Sequence, residues 1–323
     1  MQNPWLSILI PAYNVAPWLR DCLLSITCQA DKSIEIIVLD DCSTDTTATL
    51  LQSLVNESAI PIQSLQHSYN RGLSASRNTL LESARGHYVW FIDSDDILLP
   101  GAIAELKAII TRHEPDLVMC DYLNFIDGQP INPAERMASF YGPAGCLLQD
   151  PDKLFEGIYR NRRLHIWSKI SKRSLWDTQL RFPEGRVMED MVVSPRLALR
   201  TCTYYYQANT WIGYRKRQGS ILNSLNLKRI NDMSIANANV LQEWLAYYPQ
   251  LSGQARFAFY YFCIRVYYFT CKDLRLLYPG QKVDMTLYRQ RLLEHLHLTK
   301  TQLLVEYLKN GRVLPMLRFV LRY

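Results

Sequence analysis

Short apolar runs alternate with segments of helical periodicity through the first 125 residues. Residues 6–10 are a continuous apolar run with one serine and predict a strand. Residues 17–29 repeat apolar positions every three or four residues and predict a helix. Residues 34–39 are near-continuously apolar, the mark of a strand buried on both faces. A helix is expected over 46–55, capped from Ser43, Thr44 or Asp45. A weaker strand follows at 61–66, then a helix over 73–84 stopped by Gly86. Residues 88–92 predict a strand, Pro100 and Gly101 open a helix to about 113, and 116–125 predict another strand. This order implies a mostly parallel sheet covered by helices. Beyond about 130 the pattern loosens. Residues 182–185 read as a loop, 191–199 as a helix, 204–206 and 211–215 as two strands, and 231 onward as helical.

Composition adds little until charge is read along the chain. The 323 residues are 48% hydrophobic and 20% charged, ordinary for a globular protein. Residues 1–199 hold 18 Lys and Arg against 24 Asp and Glu, whereas 200–323 hold 18 against 6. An acidic first part and a basic tail suggest two tasks. The eight cysteines include no Cys-x-x-Cys pair, so structural zinc and a disulfide framework are poorly supported. The start lacks a basic leader region, and no run approaches the ~18 apolar residues of a membrane span. A reducing, cytoplasmic setting is expected.

Ligands of such sheets bind beyond the carboxyl ends of the strands. The first strand there runs into Pro11, Tyr13 and Asn14, the second into Asp40 and Asp41, and the fourth into Asp93, Ser94, Asp95 and Asp96. Asp93 and Asp95 share a face if the strand reaches them, and such crowded carboxylates favour a divalent cation. Oxygen ligands suit Mg²⁺ or Mn²⁺, which bind one or two carboxylates together with substrate phosphates. Turn formation and a helix N-cap before Leu98 are the better account of an isolated Asp-x-Asp; two acidic strand ends in one sheet favour a metal–nucleotide site. For Asp40 and Asp41, bonding to a base or ribose and an Asx turn stand level.

Four stretches carry a resemblance: residues 7–14 (SILIPAYN), 35–45 (EIIVLDDCSTD), 70–78 (NRGLSASRN) and 86–96 (GHYVWFIDSDD). In order and spacing they resemble the family 2 glycosyltransferases of the GT-A fold, notably bacterial members that build surface polysaccharide or lipopolysaccharide. The likeness is clear over 5–125 and thinner to about 221. It implies a Rossmann-like α/β fold, mostly parallel with helices on both faces, plus a mainly helical C-terminal region. It implies a GT-A unit over 1–225, with a nucleotide-sugar half to about 125 and an acceptor half over 126–225, followed by a helical basic region over 226–323. Tyr13 would lie against the uracil of a UDP-sugar, with Pro11, Asn14 and Ser94 nearby. Asp41 would bond the base with Asp40 beside it, Arg77 would sit near the nucleotide, Asp93 would approach the ribose, and Asp95 would ligate Mn²⁺ or Mg²⁺. Cys42 departs from the family's usual glycine, which leaves the loop shape open if the turn needs positive φ.

The resemblance further implies an inverting transfer with Asp190 of the Glu189–Asp190 pair as base, although acids at a helix start also complement the dipole. A mobile loop carrying Arg215 and Arg217 would close over the diphosphate; a solvated basic loop fits the same residues. The acceptor would be a glycan or lipid-linked glycan, with the basic C-terminal region touching the cytoplasmic face of the inner membrane. Nucleic-acid binding lacks a motif, a dehydrogenase lacks Gly-x-Gly-x-x-Gly after a strand, and the Asp-x-Asp of a haloacid-dehalogenase-type phosphohydrolase normally follows the first strand. A sugar-nucleotide-binding scaffold without catalysis is the remaining alternative.

Overall fold

The computed structural model describes residues 3–217 and 225–322. Its strands are β1 (Leu6–Ala12), β2 (Ile34–Asp40), β3 (Ile62–Gln66), β4 (Tyr88–Phe91), β5 (Ile97–Leu98), β6 (Leu117–Phe125), β7 (Arg136–Met137), β8 (Leu147–Leu148), β9 (Lys169–Lys172) and β10 (Tyr204–Arg215). They form one sheet in the order β3-β2-β1-β4-β9-β6-β10-β5, with β7 on β6 and β8 on β10. The β3-β2-β1-β4 half is parallel throughout. The second half is mixed, because β9 runs antiparallel to both β4 and β6 while β10 is parallel to β6. The start of β9 therefore meets the carboxyl end of β4 and the early residues of β6, and β6 runs on past it.

Alternation along the strands sorts the core into two layers. Ile8, Ile10, Val38 and Trp90 pack on one face against α1 (Ala16–Thr27), α2 (Thr47–Glu57) and α4 (Ala102–His113). Leu9, Ile37, Leu39 and Phe91 pack on the other, against α3 (Leu73–Ser83), α5 (Pro151–Arg160) and α6 (Glu189–Leu199). The chain then continues through α7 (Leu227–Ile235), α8 (Val240–Tyr247), α9 (Gly253–Leu277), α10 (Thr286–Leu296), α11 (Lys300–Lys309) and α12 (Val313–Arg322). These helices extend the second layer. Trp244 and Phe259 join the same apolar core as Leu9 and Phe155, and the Trp244 indole donates to the Pro195 carbonyl at 3.1 Å.

Several local expectations change. The two strands expected at 204–206 and 211–215 are one strand, β10, with register irregularities around Thr210; bulges let it continue past the polar residues 207–210. Neither β9 nor α5 was legible in the looser pattern. Ser43 and Thr44 do not cap α2. Their hydroxyls engage Asn14 instead, and Asp45 accepts from the Thr47 amide at 2.9 Å.

Gly86 does not stop a helix by turning left-handed, since α3 has ended at Ser83. It permits a close approach: a Cβ there would lie 2.5 Å from the Ser7 amide nitrogen. The Gly86 amide donates to the Ser7 hydroxyl at 2.8 Å. That hydroxyl donates at 2.6 Å to the buried Glu35 carboxylate, which also accepts from the Arg85 amide at 2.8 Å. Gly86→Ala is expected to cost about 1–3 kcal/mol through overpacking against backbone, measured as a lower urea midpoint with an unchanged m-value.

Candidate active site

The carboxyl ends of β1, β2 and β4 converge as a parallel sheet requires. Tyr13 leaves β1 with 44% of its surface exposed, a free ring face at the sheet edge. Asn14 does something else. Its amide donates to Ser43 Oγ at 2.9 Å and its side-chain oxygen accepts from the Thr44 amide at 2.8 Å, so it staples the β1 end to the β2 end. Pro11 is buried within β1, paired with Leu39.

Both acids at the end of β2 are buried. Asp40 accepts from Gln66 Nε2 at 3.1 Å and from the Ser43 amide at 3.3 Å. Asp41, 2% exposed, accepts from a His67 ring nitrogen at 2.6 Å and from the amides of Arg71 and Gly72 at 2.9 and 2.7 Å. It thereby holds the entry to α3, where Gly72 takes φ 85°. Cys42 takes φ 59°, so this turn does use the left-handed region that the family's glycine would enter freely. Cysteine adopts it at a cost of roughly 1–2 kcal/mol.

The acids after β4 do not lie on a strand. β4 ends at Phe91, and a turn follows in which the Asp96 amide donates to the Asp93 carbonyl at 3.0 Å. Asp93 and Asp95 therefore do not share a face by alternation, and each meets a different arginine. Asp93 accepts from Arg77 Nη2 at 2.9 Å. Asp95 accepts from Arg217 Nε, whose guanidinium lies 4.4 Å over the Trp18 ring. Ser94 is buried between them.

Arg77 projects from α3 into the interior and is 1% exposed. Besides Asp93, its Nη1 donates to Glu189 Oε1 at 2.6 Å and to Asp190 Oδ1 at 3.0 Å. Burial works against its charge, but Asp190, Asp93 and Glu189 together hold it more firmly protonated than a free arginine. Arg77 thus meets the carboxylates of the expected donor and acceptor halves rather than open space at the sheet edge. Asp190, in the first turn of α6, also accepts from the Ile166 amide at 3.1 Å. Burial pushes the Asp190 carboxyl up to about 6 against the pull of Arg77. Asp93 is likewise raised to about 6, by burial first and then by Asp95 and Asp190.

Arg215 corrects the expectation of a mobile arginine loop. It is the last residue of β10 and 5% exposed. Its amide donates to Asp96 Oδ1 at 2.8 Å, its Nε to the Asp95 carbonyl at 2.7 Å, and its Nη atoms to Asp127 and Asp21. A guanidinium with that many partners is pinned. Arg217 lies beyond the strand, and residues 218–220 of the expected loop fall outside the described residues. Asp96, 1% exposed, leaves one carboxylate oxygen without a partner. Burial, then Asp95 and Asp93, raise its pKa well above the carboxylate range.

His67, Asp21, Asp127 and Asp96 were missed as organisers. Only Asp96 carried a signal, as a fourth acid in the same strand-end cluster. The other three are single polar residues whose partners lie 26 to 194 positions away. Among the described residues no group of three or more His, Cys, Asp and Glu is arranged to hold a metal ion.

Known proteins resemble this chain in sequence and in fold. The model of the family described as "Glycosyl transferase family 2" matches residues 7–171. Glycosyltransferase GlyA of Streptococcus pneumoniae is 31% identical over 67% of this chain, which spans 31% of the length of GlyA. Putative glycosyltransferase EpsH of Bacillus subtilis is 30% identical over 75% of this chain and 71% of its own. The solved structure of TarS residues 1–349 from Staphylococcus aureus, in complex with UDP-GlcNAc, superposes with a TM-score of 0.62 at 20% identity. That superposition covers 95% of this chain and 92% of TarS 1–349, and it supports a GT-A-like sheet with a helical C-terminal region. The chain belongs to glycosyl transferase family 2.

Proposed function

We infer that the chain moves a sugar from a UDP-sugar to a hydroxyl of a growing, lipid-linked bacterial surface glycan, inverting the anomeric centre. The observation that carries this reading is the joining of Asp93, Glu189 and Asp190 on one buried guanidinium. It puts an acid after β4 and the acids of α6 around one space. The UDP-GlcNAc bound by TarS supports the choice of donor. In this reading residues 1–225 are the transferase unit, with the donor half to about 125 and the acceptor half from 126, and 226–323 form the helical basic region.

The exposed Tyr13 ring offers a stacking surface for the base. Asp41 spends three bonds on its own chain, and a carboxylate offers about four acceptor positions, so one remains for a base N–H. Asp93 approaches the ribose. Asp95 would hold Mn²⁺ or Mg²⁺ on the diphosphate. The donors are oxygens and the Asp95 side chain is about one-fifth exposed, so it fits such an ion once the Arg217 guanidinium now paired with it turns to the diphosphate. A site with one protein carboxylate, completed by phosphate oxygens and water, is ordinary for Mg²⁺. When bound, the ion offsets charge developing on the leaving diphosphate. Arg217 adds positive charge at the same place, while Arg215 acts by fixing Asp95 and Asp96.

Asp190 takes the proton from the acceptor hydroxyl. A carboxylate raised to about 6 is a better base than an ordinary aspartate and is still ionised at neutral pH. Glu189 keeps Arg77 in place. A role at the inner membrane is supported by α12, where Val313, Leu314, Leu317 and Val320 are exposed beside Lys309 and Arg312. No helix among the described residues is long and apolar enough to cross a membrane; in this reading α12 touches the cytoplasmic face peripherally.

Four outcomes test this reading. Release of UDP from a panel of UDP-sugars should require Mn²⁺ or Mg²⁺ and fall about 100-fold or more in Asp95→Ala; release indifferent to EDTA would refute the metal role. Asp190→Asn should lose about 10²- to 10⁴-fold in turnover while donor binding by calorimetry persists. Because Asp190 acts deprotonated and its pKa is raised, wild-type kcat/KM should climb as pH rises through about 6 and level off above it. Donor binding without turnover on any lipid-linked acceptor would instead favour a binding role. Finally, Leu314→Glu with Leu317→Glu should abolish flotation with anionic vesicles; unchanged flotation would remove α12 from the membrane assignment.

A further inference from the structure

Residues 163–168 have no regular secondary structure, yet every carbonyl in the segment accepts a hydrogen bond. Lys169 Nζ donates to the carbonyls of Arg163 and His165 at 3.1 and 2.7 Å. The Ser194 hydroxyl takes that of Leu164, the Lys169 amide that of Ile166, the Trp90 indole that of Trp167, and the Cys120 amide that of Ser168. The Ile166 amide donates to Asp190. An irregular segment bonded this completely is a rigid support, and it is tied to the proposed base.

What it supports is a stack of rings. His165 lies flat on Trp167, with centroids 4.3 Å apart and planes 7° apart. Tyr214 covers the indole at 5.7 Å and 18°, and Tyr122 meets His165 and Trp167 edge-on. Trp167 and Tyr122 are buried, whereas His165 and Tyr214 are half-buried. The rings come from the part of β6 that runs past the start of β9, from the entry to β9 and from the end of β10. They therefore stand at the same sheet edge as Asp93, displaced toward β6 and β10 and away from the strands that carry Tyr13 and Asp41.

The buried Nδ1 of His165 has no hydrogen-bond partner. Burial, then Lys169 and Arg163, hold this imidazole neutral. A neutral ring with a buried, unpartnered Nδ1 is less costly when Nδ1 is the bare acceptor and the proton sits on Nε2. The Nε2 edge is then a donor. A flat aromatic face with one oriented polar group suits an amphipathic ring such as a pyranose.

We propose that His165 and Tyr214 form the subsite for the acceptor's terminal pyranose, with His165 hydrogen-bonding a hydroxyl next to the one that attacks. This rests on the reading of Asp190 as the base and makes His165 a determinant of which acceptor sugar is used. A site built to bond a hydroxyl discriminates strongly against rings that place it elsewhere.

The test uses the full chain with UDP and Mn²⁺. Methyl glycosides of glucose, galactose, N-acetylglucosamine and N-acetylgalactosamine are titrated by saturation-transfer NMR. At least one should bind wild type, and its affinity should fall about 10-fold in both His165→Ala and His165→Phe. His165→Phe keeps the stacked ring and lacks the donor. Unfolding midpoints and UDP affinity by calorimetry, measured on the same preparations, should stay close to wild type in both variants. Binding of none of the glycosides, or equal binding in both variants, overturns the subsite. Wild-type binding retained in His165→Phe alone overturns the hydrogen bond. Failure of the wild-type chain to bind UDP would overturn the donor reading instead, and is seen separately from any glycoside result.

Discussion

Arg77 carries a full positive charge into a place water hardly reaches, and the site is assembled around it. Removing such a charge from water costs several kcal/mol unless partners replace the lost hydration. Here Asp93, Glu189 and Asp190 replace it. The dependence is mutual: without the guanidinium, three acids would crowd one another, and breaking a buried pair of this kind costs about 3–5 kcal/mol. Since Asp93 follows β4 and the other two begin α6, the electrostatic requirement of one residue fixes the turn after β4 against the start of α6.

A second arginine does comparable work on the opposite side of the same turn. Arg215 ends β10 and binds Asp21, Asp127, the Asp95 carbonyl and Asp96. With Arg77 on one flank and Arg215 on the other, residues 93–96 are held from both sides, and the Asp95 carboxylate is left facing Arg217 at the edge of the described structure. The division of labour follows from depth. Buried guanidiniums shape the turn, while the more exposed one stays available for exchange with other charges.

The sheet separates tasks in space. Its parallel half ends in polar and acidic loops stapled by Asn14, Asp40 and Asp41. Its mixed half ends in rings. The reversal of β9 is what brings an aromatic segment to the acidic edge, because an antiparallel strand presents its start where β4 presents its end. The C-terminal helices sit behind this edge and share the core of α5 and α6, so they support the floor on which Asp190 stands.

By itself the sequence determined the four parallel strands, the helices between them, the strand-end position of the acids, the start of α6 at Glu189 and the membership of family 2. The elements are matters of periodicity and local pattern, set by short-range sterics and burial; the family is legible only as the resemblance of four motifs. It did not determine β9, α5 or the unity of β10, whose short or polar stretches are stabilised by neighbours far along the chain. Nor did it determine what Arg77, Arg215, Asn14 and Asp41 face. All four were expected around the nucleotide; in the structure Arg77, Arg215 and Asn14 bond to their own chain, and Asp41 does so with three of its acceptor positions. A buried charge must be satisfied by whatever the fold brings within about 3 Å, and only the tertiary structure decided which groups those are.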